Sequence, residues 1–351
     1  MKERRDDMAK AVRLSDIGKR LGVSTVTVSK ALSGQKGVSD ELRQRIIELA
    51  DEMGYTKSKV IITEKDSYTI GVVVAERYLR ENQSFYWKLY QDVSQDAMAR
   101  NCFTILEVIT YDIEKNMVLP RTVTEKKVDG IIIMGAFKKG YATFMANNIG
   151  VPLLNLDTPG TVDTSDSVVS NNVMGGYRMT NYLFEMGHSR IGFVGTRLST
   201  DSIDDRYLGY LKSLMAHGMK PKTEWLIDDR DREYGRFDPG KKFRLPEEMP
   251  TAFFCNCDTA AYIMIRKLNA SGYRIPDDIS IVGFDNYVAG EFGQSGITTY
   301  EIHTKEMAKR AVHILLHKLE NIDYSTGMFM LPGTFIERDS VRRIGRAVPF
   351  I

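Results

Sequence analysis

Apolar positions divide the chain near Tyr68 into two unlike stretches. Before it, short apolar stripes recur at helical spacing. Leu14, Ile17 and Leu21 make one stripe, Gly22-Val23-Ser24 interrupts it, and Val28 and Leu32 make a second. Ser33 to Gly37 reads as a loop. Ser39 then stands as an N-cap, with Asp40 and Glu41 in the first turn, where the helix dipole favours acids. Leu42, Ile46, Leu49, Ala50 and Met53 form a third stripe, ended by Gly54. Thr56 to Tyr68 is polar and lysine-bearing and reads as a linker.

After Tyr68, β-branched runs alternate with helical stretches. The pattern predicts strands at Ile70–Val74, Phe103–Val108, Gly130–Met134, Val151–Leu156, Arg190–Val194, Thr251–Cys255 and Ile279–Phe284. It predicts helices at Phe85–Arg100, Lys139–Asn148, Val173–Met186, Asp204–His217, Asp258–Ser271 and Lys305–Asn321. Such units build parallel sheet covered by helices on both faces. The stretch is large for one core, so two α/β halves are expected. Ligands of such folds sit outside the carboxyl ends of the strands, which directs attention to the residues just after each strand.

Composition changes this picture little. Of 351 residues, 43% are hydrophobic and 27% charged, as in an ordinary folded protein. No apolar run approaches the roughly 20 residues that span a bilayer. The polar N-terminus lacks an apolar signal core, so the expected location is the cytoplasm, without membrane association. Three cysteines, Cys102, Cys255 and Cys257, make no disulfide framework. Charge is more informative. The formal total is +2, but Arg13 to Arg45 alone carries +4, a local basic bias that suits a polyanion.

That bias coincides with a helix-turn-helix pattern from Ser15 to Leu32. Two short helices on a glycine turn form a unit whose second helix enters the major groove. Gly22 suits a positive φ and Ser24 can cap the second helix. Thr25, Val26 and Thr27 lie at its N-terminal end, the part of this motif that meets base edges. Val26 suits a thymine methyl and Thr25 a base-edge hydrogen bond. Ser29 suits phosphate, and Lys30 a guanine or a phosphate.

Val12 to Tyr55, with Leu14-Ser15-Asp16-Ile17-Gly18-Lys19-Arg20-Leu21-Gly22-Val23-Ser24, Thr27-Val28-Ser29-Lys30 and Glu52-Met53-Gly54-Tyr55, strongly resembles the DNA-binding headpiece of the lactose-repressor (LacI/GalR) family. The resemblance continues through Asn171-Asn172, Gly175-Gly176, Met186-Gly187-His188-Ser189-Arg190-Ile191, Asp205-Arg206-Tyr207-Leu208-Gly209-Tyr210, Asn256-Cys257-Asp258-Thr259-Ala260-Ala261, Ile275 to Asn286 and Ile336-Glu337-Arg338-Asp339-Ser340. It implies a homodimer on pseudo-palindromic operator DNA and a body like a periplasmic sugar-binding protein. It implies that Thr25 and Val26 read bases and that Ser24, Ser29, Ser33 and Leu42 lie near phosphates. Arg13 stands where the family usually has Thr, so a charged contact is expected there. The linker departs from the family: Gly54-Tyr55 is followed by Thr56-Lys57-Ser58-Lys59-Val60-Ile61-Ile62-Thr63, without the usual proline and Ala-Arg-x-Leu hinge helix. A plain tether is at least as well supported as a minor-groove wedge made by Ile61 or Ile62.

The expected architecture is therefore an all-α headpiece and linker, residues 1–66, followed by an α/β periplasmic-binding-protein-like body, residues 67–351. In the body, one parallel-sheet subdomain takes about 68–171 and 300–330, and the other about 172–299 and 331–351.

Three polar groups stand where strand ends should gather: Arg206, Asn256 and Asp285. Arg donates in a planar fork, ionised Asp accepts and Asn does both, so together they satisfy the vicinal hydroxyls of a sugar. In the resembling family these positions contact sugar or nucleobase effectors. Phe85, Tyr86 or Trp87 can stack on an apolar ligand face. Arg77, at the end of the first strand, can recognise a carboxylate or phosphate. Trp225 is expected in the core; Asp228 to Lys242 reads as a loop, either near the cleft or, as the favoured alternative, solvated.

Enzyme readings find little support. No Gly-x-Gly-x-x-Gly or P-loop lysine follows a strand, so no nucleotide cofactor is expected. His313 and His317 lack the glutamate of a zinc-protease motif and read as a solvated helix face, and Cys255-Asn256-Cys257 lacks a second pair, so no metal is expected. His188 has no evident nucleophile partner. The expected function is a small-molecule-responsive DNA-binding regulator, a repressor of carbohydrate-metabolism genes, that takes a sugar or sugar derivative between the two halves. The other reading is a solute-binding or sugar-sensing protein whose N-terminal helices serve protein contact. No terminal leucine heptad is visible, which favours a dimer over a tetramer.

Overall fold

The computed structural model describes residues 14–32, 38–53, 67–79, 84–160, 166–287, 296–320 and 327–350. The chain forms two compact units, Met1–Lys65 and Asp66–Ile351. The polar stretch expected as a linker lies almost wholly outside the described residues, as do Arg13 and Ser33.

In the first unit, helices α1 (Leu14–Leu21), α2 (Thr25–Leu32) and α3 (Asp40–Glu52) enclose a small core. Ile17, Val28, Ala31, Ile46 and Ala50 are buried at its centre, with Leu21, Val23, Leu42 and Leu49 packed around them. These are the residues of the helical stripes, so the spacing that predicts the helices also selects their buried faces. Gly22 makes the α1–α2 turn at φ +68°, a conformation that an L side chain would resist. Ser39 Oγ accepts from the Leu42 amide and caps α3 as expected.

The second unit contains two parallel sheets. The six-stranded sheet has the order β11-β5-β4-β3-β1-β2, from β1 (Thr69–Ala75), β2 (Phe103–Ile109), β3 (Gly130–Met134), β4 (Leu153–Leu156), β5 (Asp166–Ser170) and β11 (Met328–Leu331). The four-stranded sheet has the order β7-β6-β8-β9, from β6 (Ile191–Val194), β7 (Leu226–Ile227), β8 (Ala252–Cys255) and β9 (Ser280–Val282). Helices α4 (Phe85–Ala99), α5 (Tyr111–Lys115), α6 (Arg121–Thr124) and α7 (Lys139–Asn148) follow strands of the first sheet, and α8 (Asn172–Glu185) leads from it to the second. Helices α9 (Asp201–Ala216), α10 (Pro239–Lys242) and α11 (Asp258–Ala270) accompany the second sheet. Helix α12 (Thr304–Leu319) returns to pack on α4 and on β3 to β5. The central strands are buried on both faces, as parallel sheet requires; all five residues of β3 are buried.

A two-stranded antiparallel ribbon, β10 (Thr299–Glu301) with β12 (Thr334–Ile336), accompanies the two later crossings between the sheets. Its three-residue strands carry no period-two signal. β5 reads Asp-Ser-Val-Val-Ser and is polar at both ends, because Asp166 pairs with Lys318 at 2.6 Å inside the body. α9 starts three residues before its predicted start, because Thr200 Oγ1 accepts from the Ile203 amide and caps it there. Trp225 is buried as expected, its indole donating to the Glu248 carbonyl at 2.8 Å.

The histidine pair departs from its expectation. His313 and His317 are half-buried on α12, which packs against α4, so they do not form a solvated face. Burial lowers the His313 pKa, and neighbouring His317, Arg100 and Arg310 lower it further.

Candidate functional site

The start of α2 is organised by Ser24. Its Oγ accepts from the Thr27 amide at 3.1 Å and lies 2.8 Å from Thr27 Oγ1, so the helix begins at a satisfied cap. Thr25 and Lys30 are exposed, and Thr27 is half-buried. Arg43 of α3 donates to the Ala31 carbonyl at 2.9 Å and so holds the far end of α2 in place. Val26 and Ser29 are described in their backbone only.

In the body, the strand ends of the two sheets face a cavity of about 280 Å³. A wider opening of about 820 Å³ continues past Arg77, Thr200 and Gly235. The second sheet supplies a wall of paired charges. Arg206 on α9 is 5% exposed and donates from Nε to Asn172 Oδ1 at 2.9 Å and from Nη1 to the Asn256 carbonyl at 2.6 Å. Its Nη2 lies 3.0 Å from Asp285 Oδ1, an ion pair without hydrogen-bond alignment, and its guanidinium covers the Phe284 ring at 3.9 Å.

Arg206 reaches these partners because α8 and α9 touch closely. A Cβ on Gly176 would strike the Arg206 carbonyl, and one on Gly209 would strike the Val173 carbonyl. Arg230 makes a second pair with buried Asp229, through Nε at 3.0 Å and Nη2 at 2.9 Å. Burial alone would raise the Asp229 pKa, but Arg230, Asn256 and the Thr196 amide hold it below the ordinary carboxylate value.

Asn256 links the two pairs. Its carbonyl holds Arg206, its Oδ1 accepts from Arg230 at 3.4 Å, and its Nδ2 donates to both the Val194 carbonyl and Asp229 Oδ2. Both amide protons are thus committed inside the protein. Asn256 lines the cavity, yet it serves chiefly to position the two arginines.

The first sheet supplies a different wall. Tyr78, Phe85 and Tyr86 line it, with Phe85 edge-on to Tyr86 at 5.3 Å, while Trp87 packs against Tyr90. Arg77 reaches the cavity, but its guanidinium is engaged by Glu114 at 2.6 Å and by the Ala136 carbonyl at 2.7 Å. Asp157 follows β4 at φ +60° and accepts from the Tyr86 hydroxyl at 2.9 Å. Burial pushes its pKa up to about 6, against the pull of Arg206 and the Tyr86 hydrogen bond. Asp157 Oδ1 has no hydrogen-bond partner. Burial also raises the Asp285 carboxyl, opposed by Arg206, and pushes the cavity-lining Cys257 thiol up to about 12.

The described residues form no cluster of histidine, cysteine and carboxylate ligands able to hold a metal. Among them, no helix is long and apolar enough to cross a membrane.

Two family models match the chain. The model for bacterial regulatory proteins of the lacI family covers residues 13–58, and that of the periplasmic binding protein-like domain covers residues 180–341. The chain thus matches a lacI-type DNA-binding segment at its start and a binding-protein-like domain in its body. Among relatives, the HTH-type transcriptional repressor PurR of Aliivibrio salmonicida (strain LFI1238) is 25% identical over 334 residues, covering 94% of this chain and 99% of the relative. The ribose operon repressor of Haemophilus influenzae (strain ATCC 51907 / DSM 11121 / KW20 / Rd) is 27% identical over 333 residues, covering 93% and 98%. Among solved structures, the lac repressor dimer bound to operator and the anti-inducer ONPF superimposes with a TM-score of 0.62 at 21% identity, covering 95% of this chain and 100% of that one.

The structure brings Arg77, Phe85, Arg206, Asn256 and Asp285 to one cavity. Sequence reasoning did not find Asp157, Arg230, Arg236 and Phe237, which share it. Asp157 had a usable signal, since it directly follows a predicted strand. Arg230, Arg236 and Phe237 lie in the charged stretch expected to be a solvated loop. That stretch is instead anchored by a bridge between Arg230 and Phe237 and folded against the cavity.

Proposed function

We propose that this protein is a ligand-responsive, sequence-specific DNA-binding transcriptional regulator, a repressor of genes for sugar metabolism. One observation carries this reading: a single chain joins a lacI-family headpiece to a binding-protein body with a preformed polar cavity at its strand ends. The capped start of α2 reads the operator through Thr25, Val26 and Thr27, while Arg13, Ser24, Ser29, Lys30 and Ser33 contact phosphates or base edges. Two copies occupy the two halves of a pseudo-palindromic site. The ligand lies between Phe85 on one side and Arg206 and Asp285 on the other, and its binding energy shifts the DNA affinity. The relatives are named as repressors, and this chain is assigned no enzymatic step. It acts on chromosomal DNA in the cytoplasm.

The test begins with the full chain and duplexes selected from a random library. T25A and K30A are expected to weaken the selected site, K30A by about tenfold, and to leave ligand-induced thermal stabilisation intact. A protein that enriches no duplex sequence, with or without sugars present, would overturn the reading.

A further inference from the structure

Accepting that the cavity is the effector site, we infer that its ligand is an acidic sugar: a polyhydroxylated molecule carrying one carboxylate or phosphate group. The cavity makes two different demands. Asp157 Oδ1 is buried without a hydrogen-bond partner, and Asp285 Oδ1 is buried with only the unaligned ion pair to Arg206 at 3.0 Å. Carboxylate oxygens only accept, so these atoms call for donors, and hydroxyl groups supply them.

The other demand comes from the hairpin that runs from Arg230 to Phe237. Arg230 spends Nε and Nη2 on Asp229 and Asn256, while its Nη1 has no hydrogen-bond partner among the described residues. Arg236, on the same hairpin, lines the cavity and forms no ion pair among the described residues. Guanidinium groups only donate, and a carboxylate or phosphate accepts several such bonds at once. The charges agree. Arg77, Arg206 and Arg230 are each matched by an acid, Glu114, Asp285 and Asp229. Asp157 and the exposed Arg236 are then the charged cavity-lining groups that form no ion pair among the described residues, one calling for donors and the other for an acceptor. A neutral sugar meets the first demand only; an acidic sugar meets both. The cavity, at about 280 Å³, admits one sugar ring with its acid group.

The experiment uses the full-length protein, titrated calorimetrically with three matched series: glucose, glucuronate and glucose 6-phosphate; galactose and galacturonate; ribose and ribose 5-phosphate. At least one acid is expected to bind about tenfold or more tightly than its neutral parent. The series separate carboxylate from phosphate as the anionic group. R236Q should bring the acid-to-neutral ratio close to one and R236E should invert it. Because both members are measured on the same variant, a folding defect cannot mimic that change. Neutral parents that bind as tightly as the acids, a ratio that survives R236Q, or no binding by any member would each overturn the inference. None of these outcomes touches the DNA-binding reading, which the duplex selection tests separately.

Discussion

The two walls of the cleft are built on the same kind of sheet but prepare for a ligand differently. On the second-sheet side, Arg206 and Arg230 are already oriented by acids and by Asn256. On the first-sheet side, Tyr78, Phe85 and Tyr86 offer ring faces and edges, and Asp157 is held by the Tyr86 hydroxyl and forms no ion pair among the described residues. The second-sheet wall stores its order before the ligand arrives, so its donors need little rearrangement. The first-sheet wall supplies area and one incompletely satisfied acceptor. A polar ligand should therefore be oriented by the second sheet and covered by the first.

The most severe way to break this comparison is Arg206→Ala. The substitution removes three hydrogen-bonded or ionic contacts at once and leaves Asp285 buried without its cation. Removing one partner of such a pair costs roughly 3–5 kcal/mol. Urea unfolding should show that loss in the body, and the ligand-induced thermal shift should vanish. Unchanged stability would mean that the charged wall is not ordered before the ligand binds.

The next effect separates the walls by pH. Asp157 has a folded pKa raised to about 6 from an ordinary 3.8, so the native chain keeps a proton that the unfolded chain has lost. Its favourable contribution is full below pH 3.8 and is lost as pH rises through about 6. The size is roughly 3 kcal/mol at most. Asp285, also raised by burial, acts in the same direction. D157N should flatten much of this dependence in thermal melts recorded from pH 4 to pH 7. A slope that stays unchanged in D157N would assign the titration to the other wall.

The contrast between the walls also explains what the sequence could tell. The helices of the headpiece were legible because three apolar stripes at helical spacing coincide with caps at Ser24 and Ser39. The long strands of the body were legible as runs buried on both faces. β7, β10 and β12 are two or three residues long, too short for any period to register. In the charged wall, Arg206, Asn256 and Asp285 stood out because they combine opposite chemistry at strand ends. Arg230 and Arg236 were hidden by composition. A stretch dense in Asp, Arg and Glu has the signature of a solvated loop, yet buried Asp229, its pairing with Arg230 and the packing of Phe237 against the second core draw it inward. Asn256 shows a further limit: its residue type fits a ligand contact, but the protein has already used both of its amide protons.

Phe85→Ala tests the aromatic wall and should have the smallest effect. Phe85 is half-buried at the first turn of α4, edge-on to Tyr86 at 5.3 Å and 6.5 Å from the Tyr287 ring across the cavity. No polar partner depends on it, so its loss leaves no orphaned charge. Aromatic pairs of this kind are worth about 0.5–1.5 kcal/mol beyond the area they bury. Affinity should therefore fall by about three- to tenfold, with little change in the pH profile that Asp157 governs. Calorimetry on Phe85→Ala and Phe85→Leu separates the two roles of the ring: recovery by leucine assigns it to apolar cover, and failure of leucine assigns it to stacking on the ligand. A loss as large as that of Arg206→Ala would erase the distinction between the walls.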